Sequence, residues 1–207
     1  METTLAGPAA APIPRLAWLG IAWLAVYVPT YAWAYGLANF LFLCNLGVIV
    51  TAVALVARSR LLLSSQAIAA PVIGIAWGLD AGWRLLSGHH LFGGTEYMWD
   101  ASLPRFTRAL SLYHLAWPLL LLYCMRRSGY DRRGWSVQAA IAAGAILAAR
   151  LFTSAEENIN FAFRDPFLHR QLGPPALHVL CVWAGLAGIA YGLTHAALRR
   201  AFPAARN

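Results

Sequence analysis

Three residues of this chain could do chemistry together: Cys44, Asn45 and His114. The first two sit side by side in Phe40-Leu41-Phe42-Leu43-Cys44-Asn45-Leu46-Gly47, with apolar sequence on both sides. A buried carboxamide needs hydrogen-bond partners, and a thiol adds little packing that alanine lacks. His114 stands alone in Leu110-Ser111-Leu112-Tyr113-His114-Leu115-Ala116-Trp117-Pro118, with Ser111 one turn before it. An imidazole titrating at about 6.5 suits a general base, a proton carrier or a ligand. If it takes the thiol proton, the thiolate can attack an acyl carbonyl. Asn45 would then orient the imidazole or hold the oxyanion. An inert core cysteine and a purely structural histidine remain open beside that reading.

The elements that must position these residues are membrane spans. Apolar residues make up 60% of the 207-residue chain, charged residues 12%, and the mean hydropathy is +0.57. A soluble domain carries about 25% charged residues. The charges fall between runs of about 20 apolar residues, the length that crosses a bilayer. The expected fold is all-α: a polytopic membrane protein with a bundle of six transmembrane helices. The spans are expected at Leu16–Ala34, Leu37–Ala57, Leu61–Leu86, Leu103–Met125, Trp135–Thr153 and Ala176–Leu198. A flexible N-terminus (1–14) precedes the membrane domain (15–200), and a cytoplasmic tail (201–207) follows it.

The net charge of +8 comes entirely from arginine among the basic residues, and most of these arginines flank apolar runs. That placement is topological and excludes a nucleic-acid partner as the reading of the charge. Arg15, Arg58, Arg60, Arg126, Arg127, Arg132, Arg133, Arg199, Arg200 and Arg206 gather on one side, so both termini are expected in the cytoplasm. The three cysteines, Cys44, Cys124 and Cys181, all lie inside apolar runs and do not form a disulfide framework.

With this topology, the 1.5 Å rise per residue places Cys44 and Asn45 roughly 10 Å below the outer end of their span and His114 about 15 Å down its own. Asp80, Arg84, Ser111, Arg150 and Glu156 fall in the same outer half, with Asn158 and Asn160 in the loop above. These residues are candidates for binding or orienting a substrate. An ionisable group inside the membrane costs about 2.5–3.5 kcal/mol, so such groups face the bundle interior and one another. Structural pairing is the competing expectation: Asp80 with Arg84, and Arg150 with Glu156 or Glu157. The inner half is expected to be apolar apart from Cys124 and His195. His178 and Cys181, one turn apart, form a weaker alternative metal or haem constellation with His114; the leading reading needs no cofactor.

Three short segments resemble a known group. Leu43-Cys44-Asn45-Leu46 is similar to the Leu-Cys-polar-Leu signature of the YwaF-like bacterial integral membrane proteins. Those proteins are related to six-span phospholipid acyltransferases and to the androgen-induced and androgen-dependent membrane lipid-ester hydrolases. His114 with Pro118 resembles that group's histidine span, and Asn158-Ile159-Asn160-Phe161 its Asn-x-Asn-aromatic segment. The resemblance covers islands between Leu37 and Pro166. It implies Cys44 as the acyl-accepting nucleophile, His114 as its base, and residence in a bacterial cytoplasmic (inner) membrane. Asn45 after the cysteine and the long acidic third outer loop depart from the group's pattern. The expected function is a lipid acyltransferase or lipid-ester hydrolase acting on a membrane lipid or amphiphile. The rivals are a non-catalytic lipid or amphiphile carrier and a metal- or haem-binding membrane protein.

Overall fold

The structure, a computed structural model, describes residues 14–202. Residues 1–13 of the expected N-terminus and 203–207 of the tail lie outside the described residues, Arg206 among them. The described residues are helices and loops without a strand. Helix α1 spans Pro14–Tyr35 and α2 Leu43–Val56, with a 3-10 turn at Leu37–Leu41 between them. Helix α3 covers Arg60–Ser87, α4 Arg105–Leu110, α5 Tyr113–Ser128 and α6 Gly134–Phe152. Helix α7 (Pro175–Ala184) passes through a π-helical turn, Gly185–Ala190, into α8 (Tyr191–Ala201).

Four stretches are long and apolar enough to cross a membrane: Leu16–Tyr35, Arg60–Ser87, Gly134–Phe152 and Pro175–Ala201. Large apolar side chains stand exposed along them and on α5, such as Phe152, Leu193 and Leu119. In water such a surface would be an aggregation liability, and in lipid it is the ordinary outer face. The two remaining expected spans are not continuous helices. The run from Leu37 breaks at Phe42, which is extended (φ −57°, ψ 132°), so α2 begins one residue before Cys44. The run from Leu103 breaks between Leu110 and Tyr113, immediately ahead of His114. Both breaks put candidate residues on the first turn of a new helix.

Helix α3 is the central post, packed against α2, α5, α6 and α8. Two glycines let neighbours approach closely. A Cβ on Gly74 would lie 2.6 Å from the His114 carbonyl oxygen, and one on Gly47 would lie 2.4 Å from the Trp117 ring. Leu63, Ile68, Leu121, Met125 and Tyr191 fill the core with almost no exposure. A second cluster, Ile146, Ala149, Ile159 and Ala162, seals the bundle beneath the 153–174 loop.

The half of the bundle expected to face inward and to be apolar contains buried polar pairs. Gln66 and Gln138 are both buried, and Gln66 Nε2 donates to Gln138 Oε1 at 3.0 Å and to Ser65 Oγ at 3.1 Å. Gln138 Nε2 reaches the Tyr191 hydroxyl at 3.5 Å. Ser64 Oγ accepts from the Asp131 amide at 2.9 Å, tying the α5–α6 loop to α3. The Ser64-Ser65-Gln66 run and Gln138 are uncharged and lie inside apolar runs, and hydropathy gives no sign of which partners they find.

Candidate functional site

Asn45 is the hub. It is 4% exposed, and its Oδ1 accepts from the hydroxyls of Tyr27 on α1 at 2.6 Å and Tyr113 on α5 at 3.0 Å. The Cys44 thiol donates to the same oxygen at 3.5 Å, and Asn45 Nδ2 donates to the Asn39 carbonyl at 2.7 Å. One carboxamide thus joins α1, α2, α5 and the 3-10 turn. Buried amides are expensive unless satisfied in this way.

The start of α2 is held from the opposite side by Asn160. Its Oδ1 accepts from the Leu43 amide at 2.9 Å and its Nδ2 donates to the Leu41 carbonyl at 2.8 Å. Both atoms of the side chain therefore mimic a neighbouring backbone across the break at Phe42. Asn160 adopts a left-handed conformation (φ 54°) to do so, which asparagine tolerates better than most residues. Asn158, also left-handed, folds its own loop by accepting from the Phe163 and Arg164 amides. The Asn-x-Asn segment acts on backbone: Asn160 positions the Cys44 turn, and Asn158 shapes the loop that carries Asn160.

His114 is buried, and its Nδ1 donates to the Ser111 carbonyl at 2.7 Å, which leaves Nε2 as the accepting nitrogen. Its ring lies between Trp77 (5.1 Å between centroids, 3° between planes) and Tyr113 (4.1 Å, 22°). Ser111 shares a 2.5 Å hydrogen bond with the Tyr31 hydroxyl. No hydrogen bond joins Cys44 to His114 among the described residues. The two are linked through Tyr113, which binds Asn45 with its hydroxyl and stacks on His114 with its ring.

An aromatic circuit that was not anticipated encloses this point. Along α1, Tyr27 meets Tyr31 with tilted rings at 4.1 Å and Tyr31 meets Tyr35 edge-on at 5.0 Å, and Tyr35 meets Tyr97 edge-on at 5.8 Å. Trp77 Nε1 donates to the Tyr97 hydroxyl at 2.8 Å, and Trp77 stacks on His114. Tyr113 closes the circuit onto Tyr27 at 5.6 Å. The sequence signal for the α1 portion was the four-residue spacing of Trp23, Tyr27, Tyr31 and Tyr35, which places all four on one helix face. Nothing in the sequence marks Tyr97 or Trp77 as their partners.

The expected ion pairs are not formed. Asp80 is 2% exposed and binds the loop above it instead of Arg84. Its Oδ1 accepts from the amides of Leu91, Phe92 and Gly93 at 2.8, 2.7 and 3.2 Å, and its Oδ2 from Thr95 and from His90 Nδ1 at 3.2 Å. A carboxylate with converging amide donors is better satisfied by them than by one guanidinium on its own helix. Arg84 lies over the Trp99 ring at 5.8 Å. Arg150 bonds the Ala162 carbonyl and Gln171 and lies 4.4 Å from the Phe163 ring centre, while Glu156 is exposed. Glu157 instead accepts from the Ser154 amide.

His178 is buried, and both ring nitrogens are occupied by backbone. Nε2 donates to the Phe161 carbonyl at 2.9 Å and Nδ1 accepts from the Leu172 amide at 3.1 Å. Cys181 is exposed. His178 thus has no free lone pair for a metal in this arrangement, and among the described residues no group of three or more His, Cys, Asp or Glu side chains converges.

Beside the Asn45 hub runs an apolar groove of about 570 Å³ between α1 and α5, floored by α2. Leu19 and Trp23 line it from α1, Val48 and Thr51 from α2, Phe106 from α4 and Tyr113 from α5. Val48 and Thr51 follow Cys44 by four and seven residues, so the groove continues along the helix face that carries the thiol. Compared with known proteins, the chain matches no family model, no curated protein and no solved structure.

Proposed function

We propose that this protein is a six-span integral membrane protein that holds the hydrocarbon chain of a membrane lipid or similar amphiphile in the α1–α5 groove, beside the Asn45 hub. The carrying observation is the groove itself: its volume of about 570 Å³ falls in the range of small-molecule sites, about 300–1,000 Å³, and its lining is mostly apolar, with Thr51 among the few polar residues. The two broken helices support six crossings. Fourteen residues of α2 at 1.5 Å and five of the 3-10 turn at 2.0 Å together reach about 31 Å, the thickness of a hydrocarbon core. The arginine pattern supports both termini in the cytoplasm and the 88–104 loop outside, and the bacterial inner membrane is what the family resemblance implies. Blocking the groove with Ala116→Phe should strip the amphiphile that copurifies in mild detergent, measured by native mass spectrometry. Retention of the same bound mass would rule out the groove as the site.

Acyl chemistry is a second reading, favoured by the Cys44 thiol sitting on the groove-bearing face of α2 next to Tyr113. In that reaction Cys44 Sγ bonds to the acyl carbon and the ester C–O bond breaks. The step requires His114 Nε2 to close to hydrogen-bond distance of Cys44, to which no hydrogen bond joins it here, and it then takes the thiol proton and passes it to the leaving alcohol. Water or a second alcohol then cleaves the thioester, giving hydrolysis or transfer. Cys44→Ala separates the readings: lost turnover of a lipid ester with unchanged amphiphile binding supports the covalent step, and unchanged turnover removes it.

A further inference from the structure

Almost all unpartnered buried polar atoms of the described residues gather at the outer end of the bundle: the Tyr35 hydroxyl, Asn39 Nδ2, Arg84 Nε and Arg108 Nε, with Gln66 Oε1 the one elsewhere. Each of the four can donate a hydrogen bond. Three of them belong to residues that converge on one short segment. Tyr35 packs on Tyr97, Arg108 Nη1 donates to the Met98 carbonyl at 2.9 Å, and Arg84 lies over the Trp99 ring.

Among the described residues, no acid of this region forms an ion pair with either guanidinium. Asp80 is committed to the 90–95 loop, Glu96 Oε2 accepts from the Gly94 amide, and Asp100 Oδ1 accepts from the Ser102 amide and hydroxyl. The ion pairs among the described residues are Asp80 with His90 and Asp131 with Arg133, so neither Arg84 nor Arg108 has a carboxylate partner. A partly buried guanidinium without a counter-charge is costly, and an oxyanion is what its planar fork of donors fits.

We infer that Arg108, Tyr35 and Arg84 form an oxyanion site at the outer membrane surface, taking a phosphate group either free or as the headgroup of an anionic lipid. Arg108 Nε and the Tyr35 hydroxyl donate to its oxygens, and Arg84, held over the Trp99 ring, supplies the second positive charge. The site stands independently of the groove, because none of its three residues lines it.

The test uses the full chain in nanodiscs. Thermal unfolding is measured in phosphatidylcholine discs with and without inorganic phosphate, and in discs containing phosphatidylglycerol. The wild type should be stabilised by at least one of these anions, by phosphate if the ligand is free and by phosphatidylglycerol alone if it is a headgroup. Arg108→Gln and Arg84→Gln should each weaken the response about tenfold or more in midpoint concentration. Arg105→Gln, an exposed arginine on the same helix, should leave it intact. Tyr35→Phe keeps the packing and should weaken the response less, which preserves the test if Arg108→Gln fails to fold. No response of the wild type to either anion, or an equal response in Arg84→Gln and Tyr35→Phe, overturns the site.

Discussion

Replacing Asn45 by leucine keeps the side-chain volume and removes every polar atom of the hub. The Tyr27 and Tyr113 hydroxyls, both buried, lose their acceptor, and the Asn39 carbonyl loses a donor. A stranded buried group costs about 1–3 kcal/mol, whereas deleting both partners of a hydrogen bond is nearly neutral. Two stranded phenols make the expected loss about 2–4 kcal/mol, the lower part of the summed range, because the Cys44 sulfur offers one of them a weak substitute. Unfolding followed by a thermal assay in detergent should register this loss in Asn45→Leu. Adding Tyr27→Phe and Tyr113→Phe to the same chain should restore most of it, since the only donor then left without its acceptor is the weak Cys44 thiol. The combination is a mutant cycle, and its coupling term measures the hub directly. A triple variant no more stable than Asn45→Leu would refute the reasoning, as the loss would then come from altered packing instead of stranded hydroxyls.

Gly47→Ala brings a methyl to 2.4 Å from Trp117 and should destabilise by about 1–3 kcal/mol, with Trp117→Leu recovering part of the loss in the same thermal assay. Asp80→Ala should free the 88–95 loop, seen as rapid limited proteolysis there, while Asp80→Asn, which keeps an acceptor for the three amides, should do so far less. In the α5–α6 loop, Arg133 hydrogen-bonded to Asp131 holds that carboxyl below its ordinary value. A depressed folded-state pKa gives stability that is present above about pH 3.9 and is lost as pH falls through the folded value. The pair is half solvent-facing, so Asp131→Asn should cost less than about 1 kcal/mol at neutral pH and nothing once wild-type Asp131 is protonated, read from paired melting curves.

Membrane character, helix class and the polar importance of the Asn45 stretch follow from composition and from one amide standing in an apolar run. They are local properties: hydropathy is a sum over neighbours, and a carboxamide among leucines must find partners somewhere. Which partners it finds is not local. Tyr27 and Tyr113 lie 18 and 68 residues from Asn45, and only the packing of α1 and α5 on α2 makes their hydroxyls its donors. The same reason explains the failed ion pairs. Asp80 and Arg84 are neighbours on a helix, but three converging amides from a folded-back loop satisfy a carboxylate better than one flexible guanidinium. Asn160 was visible as a motif, while its role at the Leu41–Leu43 break depends on contact across 117 residues. Sequence determined that polar groups would meet inside a lipid-facing bundle; tertiary structure decided which of them meet, because hydrogen-bond geometry is set only when separate helices are brought together.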